Sequence, residues 1–236
     1  MTSISRKKTA RTAGLWYLLL GITGIFGLMY IPSQIMVEGN AAATANNIIQ
    51  SELLYRYGIL GNLICQTLFI FLVLKLYRLF KDVDENNAKL MVTFVVVSIP
   101  ITFVSELIHI APLILLSGND FLQSFNQEQL QSLSMFCIEL YYHGINIVEI
   151  FWGLWLFPFG VLVYKSGFIP KVFGILLMIA CFGYLAHTFA ALIYPDIRGL
   201  VSEFTSITGT VGEFAIILWL LIKGTRDSAQ VELKTA

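Results

Sequence analysis

Charge is scarce in this chain. Only 13% of its 236 residues are Asp, Glu, Lys or Arg, about half the share of an average soluble domain. That excludes the large solvated surface a water-soluble protein of this length must present. No sign of charge prevails, since 15 basic residues face 15 acidic ones, so there is no basic field of the kind nucleic acid selects. Cysteine is rare too: Cys65, Cys137 and Cys181 lack metal-ligand spacing and lie in or beside apolar runs, where a thiol packs as a small hydrophobe. Period-two alternation between short turns is missing, which excludes an outer-membrane barrel. HExxH, nucleophile-elbow, Cys/His and nucleotide-loop motifs are also missing, so no enzyme class is indicated and the chain leans away from catalysis.

What is present is apolar, at 57% of positions. Six runs stand out: Thr12 to Ile31, Leu54 to Tyr77, Leu90 to Leu116, Tyr142 to Tyr164, Val172 to Tyr194 and Leu200 to Ile222. Each is long enough to cross about 30 Å of hydrocarbon as a helix, the one open structure that satisfies its own backbone there. The expectation is an all-α membrane protein: a basic cytoplasmic segment 1–11, one six-helix transmembrane domain over 12–223, and a cytoplasmic tail 224–236. Every lysine and arginine except Arg56 and Arg198 then falls on one side, which the positive-inside rule makes cytoplasmic and which places both termini there. The first run is longer than a signal-peptide core, and the nearest small-residue stretch, Ala41 to Ala45, lies well past its end, so it reads as an uncleaved span. The location expected is the inner membrane of a bacterium, with the lipid bilayer as partner.

Smaller features fill in the frame. Trp16, Tyr17, Tyr77, Tyr164 and Trp219 read as anchors at the inner interface, and Tyr30, Tyr55 and Tyr194 at the outer. Asn40 should start a short interfacial helix over Ala41 to Gln50; Ser124 with Gln127 should cap an amphipathic run that leads into the fourth span. Gly14, Gly21, Gly24 and Gly27 suit close helix approach, and Pro100 should kink the third span. Glu149 and Glu213 each precede a Trp-Leu pair by six residues, and Gly61 precedes Gln66 as Gly144 precedes Glu149, a pattern consistent with three parallel helical hairpins.

The chemistry resides in polar side chains inside the runs. Glu106 and His109 share a face of the third; Glu139, His143, Asn146 and Glu149 form a stripe on the fourth; the fifth carries Tyr184 and His187. The second offers Asn62 and Gln66, and the sixth Ser206, Thr210 and Glu213. A charge at the bilayer centre costs about 2.5 to 3.5 kcal/mol on insertion scales, so such groups face protein or water and have partners. Glu213, Glu149, His143, Asn146, Gln66, His187, Glu106 and His109 are therefore the candidates for an intramembrane polar site, with His143, His187 and His109 as candidate metal ligands. Arg56 and Glu203, at outer ends, are expected to be solvated or paired with each other.

In order along the chain, Ala13-Gly14-Leu15 with Tyr30-Ile31-Pro32, Ala43-Thr44-Ala45, His143-Gly144, Gly153-Leu154-Trp155-Leu156 with Pro158 and Gly160, Ser166-Gly167-Phe168 with Pro170, and Gly212-Glu213 through Trp219-Leu220 resemble a bacterial membrane family catalogued as domain of unknown function 4386. The resemblance covers residues 10 to 225. It implies a multi-span membrane protein with no assigned activity, and a recurrent pattern at the positions of His143 and Glu213 rather than at His109.

Three functions fit. The first is transport or binding of a small solute or ion, coupled to ions or protons, at Glu149, Glu213 and Gln66 with His143 assisting. The second is an accessory membrane protein whose polar groups are interhelical hydrogen bonds. The third is an embedded enzyme in which His143, His187 and His109 hold zinc, iron or haem. No cofactor is required by the residues, and they name neither a substrate nor an oligomeric state.

Overall fold

The computed structural model describes residues 3–226. Met1 and Thr2 of the basic segment, and most of the tail 224–236 with Lys234, lie outside the described residues. The described residues are mostly helical, joined by short turns and loops, and contain no strand. Nine α-helices are named here in order: α1 Ser3–Ile25, α2 Ile31–Ile35, α3 Ala41–Gln50, α4 Glu52–Phe80, α5 Glu85–Leu115, α6 Gln127–Leu154, α7 Leu156–Ser166, α8 Lys171–Ile193 and α9 Arg198–Ile222.

Six of the continuous helical stretches among the described residues are long and apolar enough to cross a membrane: Ile4–Ile35, Glu52–Phe80, Glu85–Leu115, Gln127–Ser166, Lys171–Ile193 and Gly199–Ile222. Their apolar windows have mean hydropathies of 1.7 to 2.1, yet no more than half of any window is buried. Leucines, isoleucines and phenylalanines such as Leu107, Phe182, Leu200 and Ile207 point outward instead. Side chains of that kind facing out along a whole helix need a hydrocarbon solvent. The chain is an integral membrane protein.

Local chemistry sets the helix ends. The Asn40 side chain accepts from the Ala43 N–H at 2.9 Å and opens α3, as expected. The α6 cap differs from expectation. Asn126, not Ser124, sits at the N-cap, and a reciprocal pair of 2.9 Å bonds joins Asn126 to Gln129. The amide of Asn126 reaches its N3 donor where Ser124 lies two residues too early. Asp84 opens α5 through the Asn87 N–H and side chain, and also takes Lys165 Nζ at 2.7 Å. Lys165, and after it Asn87, hold this carboxyl well below the ordinary aspartate range. Gly167 ends α7 at φ 71°, a backbone that only glycine adopts without strain.

Two spans are interrupted without ending. Between α1 and α2, Phe26–Tyr30 forms a π-turn in which the Ile31 N–H reaches back five residues to the Phe26 carbonyl. Between α6 and α7, Trp155 leaves helical pattern while its N–H still bonds Phe151 at 3.1 Å. Pro100, by contrast, lies within an unbroken α5.

The chain divides into two compact units. One comprises 1–19, 68–98 and 146–236, the other 20–67 and 99–145. In the first, small residues set the spacing. A Cβ on Gly160 would stand 2.6 Å from the Gly174 carbonyl, and one on Gly174 2.5 Å from the Gly160 carbonyl, so α7 and α8 meet backbone to backbone. Gly14 approaches the α9 backbone at Leu221 in the same way. In the second unit, Ile31, Ile35, Ile48, Tyr55, Ile59 and Ile138 make a buried core. There Gly27 is closed against Asn62, whereas Gly24 has only ordinary contact with Cys65 and Gly21 faces open space.

Candidate functional site

In the first unit the polar groups gather around Glu213. This residue reaches the interior because α9 packs its glycine and threonine side on α8: Thr205 donates to the Gly183 carbonyl at 2.8 Å, and Gly212 lies against Leu176. Ser206 and Thr210, expected on the Glu213 side, are exposed. The Tyr17 hydroxyl of α1 donates to Glu213 Oε2 at 2.6 Å, and the Tyr184 hydroxyl of α8 to Oε1 at 3.1 Å. Tyr17 is fully buried rather than an interfacial anchor, and its ring leans on Trp155. Among the described residues no cationic side chain pairs with Glu213.

One turn beyond Tyr184, His187 Nδ1 lies 2.7 Å from Glu149 Oε2, with side chains 11% and 17% exposed. The neighbouring Thr188 hydroxyl donates to the Asn146 carbonyl at 3.2 Å, and Asn146 is itself buried. Two carboxylates, one imidazole and two phenols thus belong to the same unit, carried by α1, α6, α8 and α9.

The second unit has its own cluster, centred on Glu106, which is 1% exposed. Asn62 Nδ2 donates to Glu106 Oε1 at 2.9 Å and to the Tyr141 hydroxyl at 3.1 Å. His109 Nδ1 lies 3.2 Å from Glu106 Oε2, its ring stacked on Tyr141 at 3.9 Å, and Tyr55 donates to the His109 carbonyl at 2.9 Å. Tyr55, also expected as an anchor, is buried. Gln66 is buried, and its Oε1 has no hydrogen-bond partner.

Other residues singled out from the sequence stand apart. His143, a candidate for the polar site, is exposed, as is Glu139, so both stand apart from the buried Asn146 of the same stripe. Arg56 and Glu203 are both exposed, as expected of solvated outer ends, and Arg56 pairs with Glu52 at 2.7 Å. Among the described residues no three His, Cys, Asp or Glu side chains gather to hold a metal. Tyr17, Tyr55 and Tyr141 are what residue reasoning missed as site components, whereas the sequence already places Tyr184 one turn from His187. Tyr17 and Tyr55 stand near the ends of apolar runs, where a phenol reads as an anchor.

Comparison with known proteins gives a family without an activity. The family described as Domain of unknown function (DUF4386) matches residues 12–224. An uncharacterized protein of the archaeon Archaeoglobus fulgidus is 39% identical over 93 residues, which are 39% of this chain and 52% of that protein. The match therefore spans about half the length of this relative. No solved structure matches.

Proposed function

The chain belongs to the family of Domain of unknown function (DUF4386), and from that premise we propose that it is a proton-coupled carrier of a small solute or ion. Its working groups are Glu213, Glu149 and His187. The observation that carries this reading is Glu213, a carboxylate within a span held by two neutral hydroxyls and no cation among the described residues. A carboxylate there cannot stay charged and alone at small cost. It either holds a proton or meets an incoming cation, and that choice is what coupling requires.

The partners suit both states. Phenol hydroxyls donate to the charged carboxylate, and each also accepts through its lone pairs when the carboxyl is an acid. The same two tyrosines thus hold Glu213 with or without its proton, by rotation of O–H bonds alone. The Glu149–His187 pair at 2.7 Å holds a further proton on a short hydrogen bond. The orientation that goes with this reading has both termini in the cytoplasm of a cell membrane, from the basic residues flanking the spans. The lipid bilayer is its medium, and a small solute or ion its cargo.

The test is proton flux in proteoliposomes that enclose a pH-sensitive dye, under an imposed potential and with a panel of small solutes outside. Glu213→Gln and Glu149→Gln are each expected to lower the flux at least tenfold. Unchanged flux in both variants would sink the proposal.

The interhelical-glue reading keeps one observation in its favour. All around Glu106 the donors are side chains of the same unit, as a structural hydrogen-bond network would have them.

A further inference from the structure

Within the first unit, the start of α1, the α7–α8 turn and the end of α9 bring cations together without anions. Segments 3–11, 165–171 and 223–226 hold four, two and two basic residues and no Asp or Glu. Among the described residues only Lys165 of these has an acidic partner, Asp84. Exposed like charges left to themselves spread apart. Here they are drawn in.

The Arg6 guanidinium stands over the Phe168 ring at 5.1 Å, and that of Arg226 over the Trp219 ring at 5.6 Å. The Arg226 N–H donates to the Phe168 carbonyl at 2.9 Å, so both arginines meet at the α7–α8 turn. Arg11 donates to the Ile222 carbonyl at 3.0 Å, in the last turn of α9, where the helix dipole favours a cation. Gly224, at φ 70°, turns the chain back beside it; a Cβ there would lie 3.1 Å from the Lys7 stem and 3.5 Å from that of Arg11. Lys7 and Arg11 are one turn apart and leave the same face of α1. Three guanidinium groups are thus placed by ring faces and a carbonyl, none by a carboxylate, with Lys7 among them.

Cations gathered in this way repel one another until an anion joins them. The setting says which anion. Toward the spans from Arg11 and Lys223, the side chains of Leu15, Leu218 and Ile222 point outward at 49%, 50% and 62% exposure. The cations therefore stand where the hydrocarbon-facing surface ends, the level at which a lipid carries its phosphate above its own acyl chains. Guanidinium suits phosphate through paired hydrogen bonds. A free anion would use the cations alone, whereas a lipid uses the cations and the apolar flank. We propose that this corner binds the headgroup phosphate of an anionic phospholipid, with Arg6, Lys7, Arg11 and Arg226 as its contacts. The site goes beyond the carrier reading and does not depend on proton coupling at Glu213.

The experiment is thermal unfolding of the full-length protein in detergent micelles that contain phosphatidylglycerol or, at equal mole fraction, phosphatidylcholine. The anionic lipid is expected to raise the melting temperature saturably relative to the zwitterionic one, by about 3–6 °C at ten times the half-saturating fraction, and less in high salt. Arg6→Gln with Arg226→Gln should remove most of that difference. Lys7→Gln, which leaves both ring contacts in place, should lower it in part and serves where the arginine pair does not fold. Arg78→Gln with Lys81→Gln, which removes two exposed cations elsewhere in the same unit, should leave it intact. An equal loss in that control means a diffuse charge effect and overturns the site, as does equal melting in the two lipids. Inorganic phosphate that raises the melting temperature as far as the anionic lipid, with the same loss in the Arg6 and Arg226 variants, overturns the lipid as occupant. Glu213→Gln, which tests the transport reading, should leave the lipid response unchanged.

Discussion

Glu106 and Glu213 are both carboxylates on membrane-length helices, and their surroundings could hardly differ more. Glu106 is sealed, at 1% exposure, by an amide, an imidazole and a phenol that all belong to its own unit. Glu213 is only partly buried and rests on two phenol hydroxyls that exchange donor for acceptor freely. Beside Glu106, removal of the carboxylate strands several buried donors. Beside Glu213, it strands two hydroxyls. One carboxylate is thus built into the structure, while the other is left able to change state.

Stability measurements are the strongest way to break this contrast. Glu106→Leu should cost about 2–6 kcal/mol, at about 1–3 kcal/mol for each of the buried Asn62 and His109 groups it strands. Glu213→Leu should cost about 1–3 kcal/mol, the range for stranded hydrogen-bonding groups. Thermal unfolding in detergent reads both, and a larger loss at Glu213 would reverse the assignment. Single hydroxyls sharpen the comparison further. Tyr184→Phe should lower flux several-fold while stability changes by about 1 kcal/mol, whereas Tyr141→Phe should change stability alone. Equal flux losses in the two variants would mean that the clusters work as one.

The smallest effect lies outside both clusters. Asp84 is held below the usual aspartate range by Lys165 and Asn87, so its contribution to stability is complete above the unfolded carboxyl value of about 3.9. It declines as pH falls through the depressed folded value. Melting temperature followed from pH 6 downward should therefore fall slightly more steeply in the wild type than in Asp84→Asn. Parallel profiles would remove the ion pair from the account.

The spans were legible because apolar length is a one-dimensional property: six runs became six membrane-length helices, their ends shifted by caps and turns. Rotation about each helix axis was not legible. In water a polar stripe marks the outside, whereas here both the lipid face and the packed face are apolar, so phase is set by small residues that meet neighbours. Gly144, closed against Ser105, and Gly153, closed against Tyr184, fix how α6 is turned. That rotation buries Asn146 and shields Glu149 yet leaves His143 and Glu139 outside, splitting a stripe that the 3.6-residue period alone had joined. The tyrosines were hidden for a related reason. A phenol at the end of an apolar run has the profile of an interfacial anchor until its hydroxyl finds a carboxylate, as Tyr17 does.

The break at Trp155 has an optical consequence. Of the four tryptophans, Trp155 alone is fully buried, enclosed by Tyr17, Phe69 and Phe159 at ring distances of 4.9–5.8 Å. Because Tyr17 touches this indole with its ring and Glu213 with its hydroxyl, a change at the carboxyl is one aromatic ring away from a fluorophore. The chain carries its own reporter: with Trp16, Trp152 and Trp219 replaced, the emission of the remaining indole would record events at Glu213 without any label.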